Sequence, residues 1–252
     1  MHTSSVLGQF EAASSTHQKL LATLIDPDKV SLEQGMEMAL TAQKHGVDWI
    51  MVGGSLMRDD SMNTLVPALK QILDIPVVLF PGSPSQIVDE ADAIMLLSLI
   101  SGRNSDLLIG KHVEAASRLK KSPLEVIPTG YMLIESGKLT TVNYVSNTLP
   151  IPHDKPDIAM ATALAGELLG LKMVYMDGGS GAQYSITSEM IKAVKEELSI
   201  PLIIGGGIRT LNEARRIWQA GADMIVVGSA FERDPEGEFI KQICECKAQI
   251  HA

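Results

Sequence analysis

Apolar residues in this chain gather in short runs, most of them closed by glycine, proline or an acidic residue. Eight runs read as strands: Leu20–Ile25, Asp48–Val52, Val77–Phe80, Ala93–Leu97, Glu125–Pro128, Met173–Asp177, Leu202–Ile204 and Met224–Val227. Between them, apolar positions recur at helical spacing over Leu32–His45, Thr64–Leu73, Asp106–Lys121, Asp157–Leu169, Ser188–Leu198 and Thr210–Ala220. A shorter helix is predicted near Ser85–Glu90, one more at Val6–Thr16 ahead of the first strand, and a last at Glu236–Gln249. The strand runs are continuous rather than alternating, the mark of a parallel sheet buried on both faces. Eight strand–helix repeats with no linker or composition shift predict a (β/α)8 TIM barrel as one domain over residues 1–252. Gly46-Val47-Asp48-Trp49-Ile50-Met51-Val52-Gly53 is similar to Gly221-Ala222-Asp223-Met224-Ile225-Val226-Val227-Gly228, which we read as recurring grammar of the strand–helix unit.

Composition narrows the class. A hydrophobic content of 45% is enough for a large core. The net charge of −9 offers no basic stripe for nucleic acid, although a glycine-rich loop still binds phosphate in an acidic protein. Cys244 and Cys246 lie too close in sequence for an unstrained disulfide and have no second pair to complete a zinc site, so free thiols are expected. No signal peptide heads the sequence and no apolar run is long enough for a transmembrane segment, which predicts a cytoplasmic protein.

The stretch Met173-Val174-Tyr175-Met176-Asp177-Gly178-Gly179-Ser180-Gly181-Ala182 carries the most chemistry. Tyr175 and Asp177 alternate on one strand face, and the chain then breaks into a loop rich in uncovered amide N–H groups. In a barrel all strands end on one rim, so Gly206-Gly207 and Gly228-Ser229 join Ser180 and Gly181 in a phosphate cradle. Gly228-Ser229-Ala230-Phe231 is a candidate for a short extra helix that presents its N-terminus to phosphate. For Asp177 the plain alternative is a solvated turn residue. Across the mouth, Asp26 ends the first strand and Ser55 follows the second. One carboxylate and one hydroxyl, completed by water and substrate oxygens, suit Mg²⁺. Asp28 reads as an N-terminal acid of the next helix, and Lys29 either meets a diphosphate or lies in solvent. Thr129–Pro156 is long for a connection, and Tyr131-Met132-Leu133-Ile134 with Tyr144-Val145 can wall an apolar groove.

Together, Leu24-Ile25-Asp26-Pro27-Asp28-Lys29, Val52-Gly53-Gly54-Ser55, Pro128-Thr129-Gly130-Tyr131, Tyr175–Ala182 and Gly205-Gly206-Gly207-Ile208 resemble the geranylgeranylglyceryl phosphate synthase family. The resemblance spans nearly the whole chain and lies in the combination and order of motifs, since none is specific alone. It implies a prenyltransferase joining sn-glycerol 1-phosphate to a polyprenyl diphosphate with Mg²⁺, working as a homo-oligomer (dimer or hexamer). It also implies that Asp26 and Ser55 hold the metal, and that Tyr175–Gly181, Gly206, Gly207, Gly228 and Ser229 hold glycerol phosphate. Asp177 then acts as base and Tyr175 orients the glycerol. The family commonly has Tyr-Leu-Glu where this chain has Tyr175-Met176-Asp177, an acid one methylene shorter. The competing readings are a phosphosugar isomerase or lyase on the same barrel and a phosphate-ligand sensor without turnover.

Overall fold

The computed structural model describes residues 5–58, 60–234 and 236–250. Parallel strands β1 (Leu20–Ile25), β2 (Trp49–Val52), β3 (Val77–Leu79), β4 (Ala93–Leu99), β5 (Glu125–Leu133), β6 (Met173–Asp177), β7 (Leu202–Gly205) and β8 (Met224–Val227) close into a barrel in sequence order. The closing pair sets Ala22 of β1 beside Val226 of β8. Outside run α2 (Leu32–His45), α3 (Met62–Ile72), α4 (Lys111–Leu119), α5 (Thr141–Ser146), α6 (Pro156–Leu168), α7 (Ser188–Glu197), α8 (Leu211–Gln219) and α9 (Glu238–Ile250), with α1 (Val6–Ser15) preceding β1. Their starts follow local chemistry. Ser31 and Thr210 each close a capping box with Gln34 and Glu213, and Thr187 caps α7 through its side chain.

Strand residues divide between two cores. Met95, Ile127, Tyr131, Met173, Tyr175, Ile203 and Met224 point into the lumen, where Phe10 of α1 meets Trp49 edge-on at 5.2 Å. Ile50, Met132, Val174, Met176, Ile204 and Ile225 point outward and pack against the helices. Both faces are therefore apolar, which is why the runs do not alternate. At the foot of the barrel an aspartate precedes each of β2, β4 and β8. Asp48, Asp92 and Asp223 accept the N–H of Leu21, Val77 and Leu202 at 2.7, 2.8 and 2.8 Å, and pair with Lys247, Lys70 and Lys195. Asp48 and Asp223 are the acids of the two similar sequence stretches.

Three elements differ from the sequence reading. β5 continues through Pro128 and Gly130 to Leu133, because β4 supplies ladder partners as far as Tyr131 and β6 as far as Leu133. A Cβ on Gly130 would sit 2.9 Å from Ile100 Cδ1, so glycine here is a close approach within the strand and not a break. The remainder of the long connection contains α5 and a bridge between Ile134 and Ile151. After β3 there is only a 3-10 turn at Pro84–Gln86 in place of the helix expected near Ser85–Glu90. The segment after β8 forms hydrogen-bonded turns in place of a short helix, with Phe231 and Glu232 N–H both donating to Gly228 O at 2.8 and 3.1 Å.

Candidate active site

Strand ends β1, β2, β6, β7 and β8 surround one cavity at the C-terminal rim. Asp26, Ser55, Tyr175, Asp177, Gly179, Ser180, Gly181, Gly206, Gly228 and Ser229 all line it. Of the sequence candidates, Met176, Gly178 and Gly207 lie outside its wall. Met176 packs outward under the helices. Gly178 holds the loop, donating to Gly205 O at 3.0 Å and accepting from Ser136 Oγ at 2.7 Å. A Cβ on Gly207 would lie 2.8 Å from the Tyr184 backbone, so it is packed rather than open. Ser180 and Ser229 face each other across the cradle at 3.2 Å between hydroxyl oxygens.

Asp177 is buried, and both of its oxygens are engaged. Oδ2 accepts from Tyr131 Oη at 2.6 Å, and Oδ1 accepts from Gly179 N at 2.7 Å. Burial raises its carboxyl above the ordinary aspartate range, against the pull of those two donors. Burial and the Asp177 charge push the Tyr131 phenol well above its usual value, so the shared proton resides on the tyrosine. Tyr175 is also held protonated, first by burial and then by Asp177. Its hydroxyl lies so close to β7 that a Cβ at position 205 would fall 2.1 Å from it; only glycine fits there.

Across the mouth, Asp26 pairs with Lys29 at 2.8 Å, and Lys29 reaches Glu232 at 3.5 Å. Burial opposes the Lys29 charge, but the two carboxylates outweigh it and hold its pKa above the ordinary range. Lys29 is thus a bridge between two rim acids. Asp28 is not a helix cap, since Ser31 has that role; its Oδ2 accepts from Arg58 N at 2.8 Å and its carbonyl from Arg58 Nη2 at 2.8 Å, tying down the loop after β2. Among the described residues no three acidic, histidine or cysteine side chains gather as a metal cage.

A second, mostly apolar groove adjoins the first cavity and shares Gly54, Ser55 and Phe80 with it. It runs between β4 and α4, past Leu97, Leu107 and Ala115, under Val142 and Val145. Because β3 is followed by a turn and not a helix, Pro81, Pro84 and Ile87 become groove wall. Tyr131 and Val145 line it as the sequence suggested, whereas Tyr144 is 89% exposed and Met132, Leu133 and Ile134 are core. Phe80, Tyr131 and Tyr175 form an aromatic cluster at the junction, with centroids 5.0 to 5.8 Å apart. Sequence reasoning missed Phe80, Arg209 and Glu232, and placed Tyr131 in a loop. For Tyr131 the available signal was its two-residue spacing from Thr129 and Leu133, obscured by Pro128 and Gly130.

A glycine-rich polar cavity with a buried carboxylate, opening into an apolar groove, defines the rim of this (β/α)8-barrel protein. The chain belongs to the PcrB family, whose model matches residues 14–247. Geranylgeranylglyceryl phosphate synthase of Chitinophaga pinensis is 52% identical over 93% of this chain and 91% of its own, and that of Spirosoma linguale 50% identical over 87% and 88%. Among solved structures, (S)-3-O-geranylgeranylglyceryl phosphate synthase from Thermoplasma acidophilum, in complex with sn-glycerol-1-phosphate, superposes with a TM-score of 0.93. It is 36% identical, covering 98% of this chain and 100% of that one. The tryptophan synthase alpha subunit of Legionella pneumophila, at 14% identity and a TM-score of 0.60, shares the fold alone.

Proposed function

We propose that this protein transfers a polyprenyl group, geranylgeranyl by analogy with its relatives, from its diphosphate to the C3 hydroxyl of sn-glycerol 1-phosphate. The observation that carries this reading is the meeting of two unlike cavities at Phe80, Tyr131 and Tyr175, with the Asp177 carboxylate beside them. Glycerol phosphate lies with its phosphate on Gly179–Gly181, Gly206 and Gly228-Ser229, and its C3 hydroxyl toward Asp177. The prenyl chain occupies the groove and brings its diphosphate to the Asp26–Ser55 side.

Glycerol oxygen attacks the prenyl C1. A C–O bond forms, the bond from C1 to the diphosphate breaks with its electron pair leaving on the diphosphate, and the hydroxyl proton passes to Asp177. A raised carboxyl pKa makes Asp177 a stronger base than an exposed aspartate, and Tyr131 fixes its orientation. Positive charge that develops on the allylic carbon faces the rings of Phe80 and Tyr131, which attract cations through their π faces. Asp26 and Ser55 fit Mg²⁺: one carboxylate and one hydroxyl face the same cavity, and Mg²⁺ commonly takes one or two carboxylates and completes its shell with water and phosphate oxygens. Bound there, the ion would neutralise charge on the departing diphosphate. Asp26 sits against Gly54, where a Cβ would come 3.2 Å from Oδ1, so its carboxylate is fixed at the junction of the two cavities.

Assembly as a homo-oligomer belongs to the same proposal, supported by apolar side chains such as Leu149 and Leu169 that are more than 80% exposed. Among the described residues no helix is long and apolar enough to cross a membrane. The test is incubation of purified protein with labelled sn-glycerol 1-phosphate and prenyl diphosphates of several lengths, with Mg²⁺ or with chelator. Butanol-extractable product that requires Mg²⁺ is expected. Tight glycerol phosphate binding with no product from any prenyl diphosphate would leave a sensor instead of an enzyme.

A further inference from the structure

The glycine-rich cavity is lined by two cations, Lys29 and Arg209, against three carboxylates, Asp26, Asp177 and Glu232. Both cations already hold protein oxygens. Lys29 is shared by Asp26 and Glu232, and Arg209 donates to the carbonyls of Ala182 and Gln183. A phosphate monoester on Gly179–Gly181 therefore meets backbone dipoles, with the Arg209 guanidinium as the one lining cation that no carboxylate offsets among the described residues. A dianion in such a place carries more charge than that single cation offsets.

A second such cation stands just outside the wall. Residues 136–140, between β5 and α5, lie directly on the loop that follows β6. Ser136 donates to Gly178 O at 2.7 Å and accepts from Gln183 N at 2.9 Å. A Cβ on Gly179 would come 2.5 Å from Thr140 Oγ1, so the two loops touch there as well. Between these anchors, the Lys138 ammonium lies 3.4 Å from where a Cβ of Gly181 would be. Among the described residues Lys138 makes no ion pair or hydrogen bond. An exposed lysine is ordinarily just solvated. This one is mounted on a segment pinned at both ends to the anion loop, with its donors unspent.

We propose that Lys138 caps the phosphate of the glycerol substrate, supplying a second formal positive charge beside the amide cradle and setting a preference for the dianionic monoester. The inference rests on the glycerol phosphate reading above. Its test is calorimetric binding of sn-glycerol 1-phosphate to the wild-type protein, Lys138→Gln and Lys138→Arg at pH 7.5 and 5.5, with KM and kcat at pH 7.5. Removal of one charge-assisted contact should weaken binding about tenfold at pH 7.5. The loss should shrink at pH 5.5, where a phosphate monoester with second pKa about 6 is mostly monoanionic. Lys138→Arg should recover most of the affinity, and the kinetic loss should fall on KM. Glu135, His153, Tyr184 and Arg209 flank the same loops in every variant, so the ratio to wild type removes their contribution. Affinity of Lys138→Gln within twofold of wild type would overturn the proposal. So would an equal loss at both pH values that arginine does not repair, since that marks a packing role. A wild-type protein that binds no glycerol phosphate would instead defeat the functional reading itself.

Discussion

Tyr131 donates its phenolic proton to Asp177 across neighbouring strands, 2.6 Å from Oη to Oδ2, and the pair is buried. The bond joins the long fifth strand to the strand that carries the proposed base. It explains how an aspartate one methylene shorter than the common family acid is held in a single orientation. Oδ1 is fixed by Gly179 N, so the carboxylate is clamped from two sides and each oxygen keeps a lone pair for substrate.

Tyr131→Phe removes the donor but keeps the ring at the groove junction. A hydrogen bond to a charged group is worth about 1.5–3 kcal/mol, so turnover should fall roughly ten- to a hundredfold. The bond favours the ionised carboxylate, and losing it raises the Asp177 pKa further. Since the base is the ionised form, the acidic limb of the kcat/KM profile should move to higher pH. A loss of rate with an unmoved limb would assign Tyr131 to packing.

Asp177→Asn tests the base and its cost to the fold at once. Turnover should fall by about 10²–10⁴, the usual contribution of a positioned base. Asparagine fits: Oδ1 accepts from Gly179 N, and Nδ2 donates to Tyr131, whose hydroxyl turns to accept. Because burial raises the folded-state pKa, Asp177 favours folding below its unfolded pKa and loses that contribution as pH rises through the folded value. Denaturation midpoints should therefore decline less with pH, above the unfolded aspartate range, in Asp177→Asn than in wild type. Parallel curves would show that Asp177 titrates alike in both states.

The barrel and the gathering of its glycine-rich strand ends could be read in the sequence because each depended on local grammar. Continuous apolar runs marked strands, and glycines after β6, β7 and β8 marked the rim. What stayed hidden depended on neighbours. Pro128 and Gly130 look like strand breakers, yet ladders on both sides carry β5 through them. Tyr131 consequently seemed to belong to a loop. Met176 was drawn into the site by adjacency to Tyr175 and Asp177, although the two-residue period of a strand turns it to the helices. Lys29 was ambiguous because its partner Glu232 follows β8, the last strand, which only closure sets beside β1.

Asp223 at the foot of β8 governs stability, away from the site. Its side chain is 2% exposed, accepts Leu202 N at 2.8 Å and pairs with Lys195 at 2.6 Å. Asp223→Ala leaves a buried amide and an ammonium without their partner, so a loss of about 3–5 kcal/mol in urea unfolding is expected. Asp48→Ala, at a more exposed copy of the same arrangement, should cost less. Equal losses would contradict the burial argument.

Asp26→Ala separates the two halves of the site. Asp26 holds Lys29 and the N–H of Asp28 and packs against Gly54, so glycerol phosphate binding by calorimetry should change little. Mg²⁺-dependent use of the prenyl diphosphate should collapse. Lost glycerol phosphate affinity with intact Mg²⁺ dependence would mean that the two half-sites are transposed.

Gly205→Ala probes how the rim is built. The added Cβ would meet Tyr175 at 2.1 Å from Oη, 2.8 Å from Cζ and 2.9 Å from Cε1, distances that cannot persist. Tyr175 has little room to yield, because its ring stacks on Phe80 at 5.0 Å and lies 5.7 Å from Tyr131. The strain should lower stability by about 1–3 kcal/mol, the range for overpacking a close-packed core. It should also disturb Asp177 through Tyr131, so turnover falls together with stability. Tyr175→Phe in the same chain removes the worst contact but leaves the ring carbons close. The double variant should therefore regain part of the stability of Gly205→Ala and not all of it. The interaction energy from the four proteins reads the Gly205–Tyr175 contact directly. Strict additivity would show that alanine is accommodated elsewhere, and that Tyr175 is not what confines position 205 to glycine.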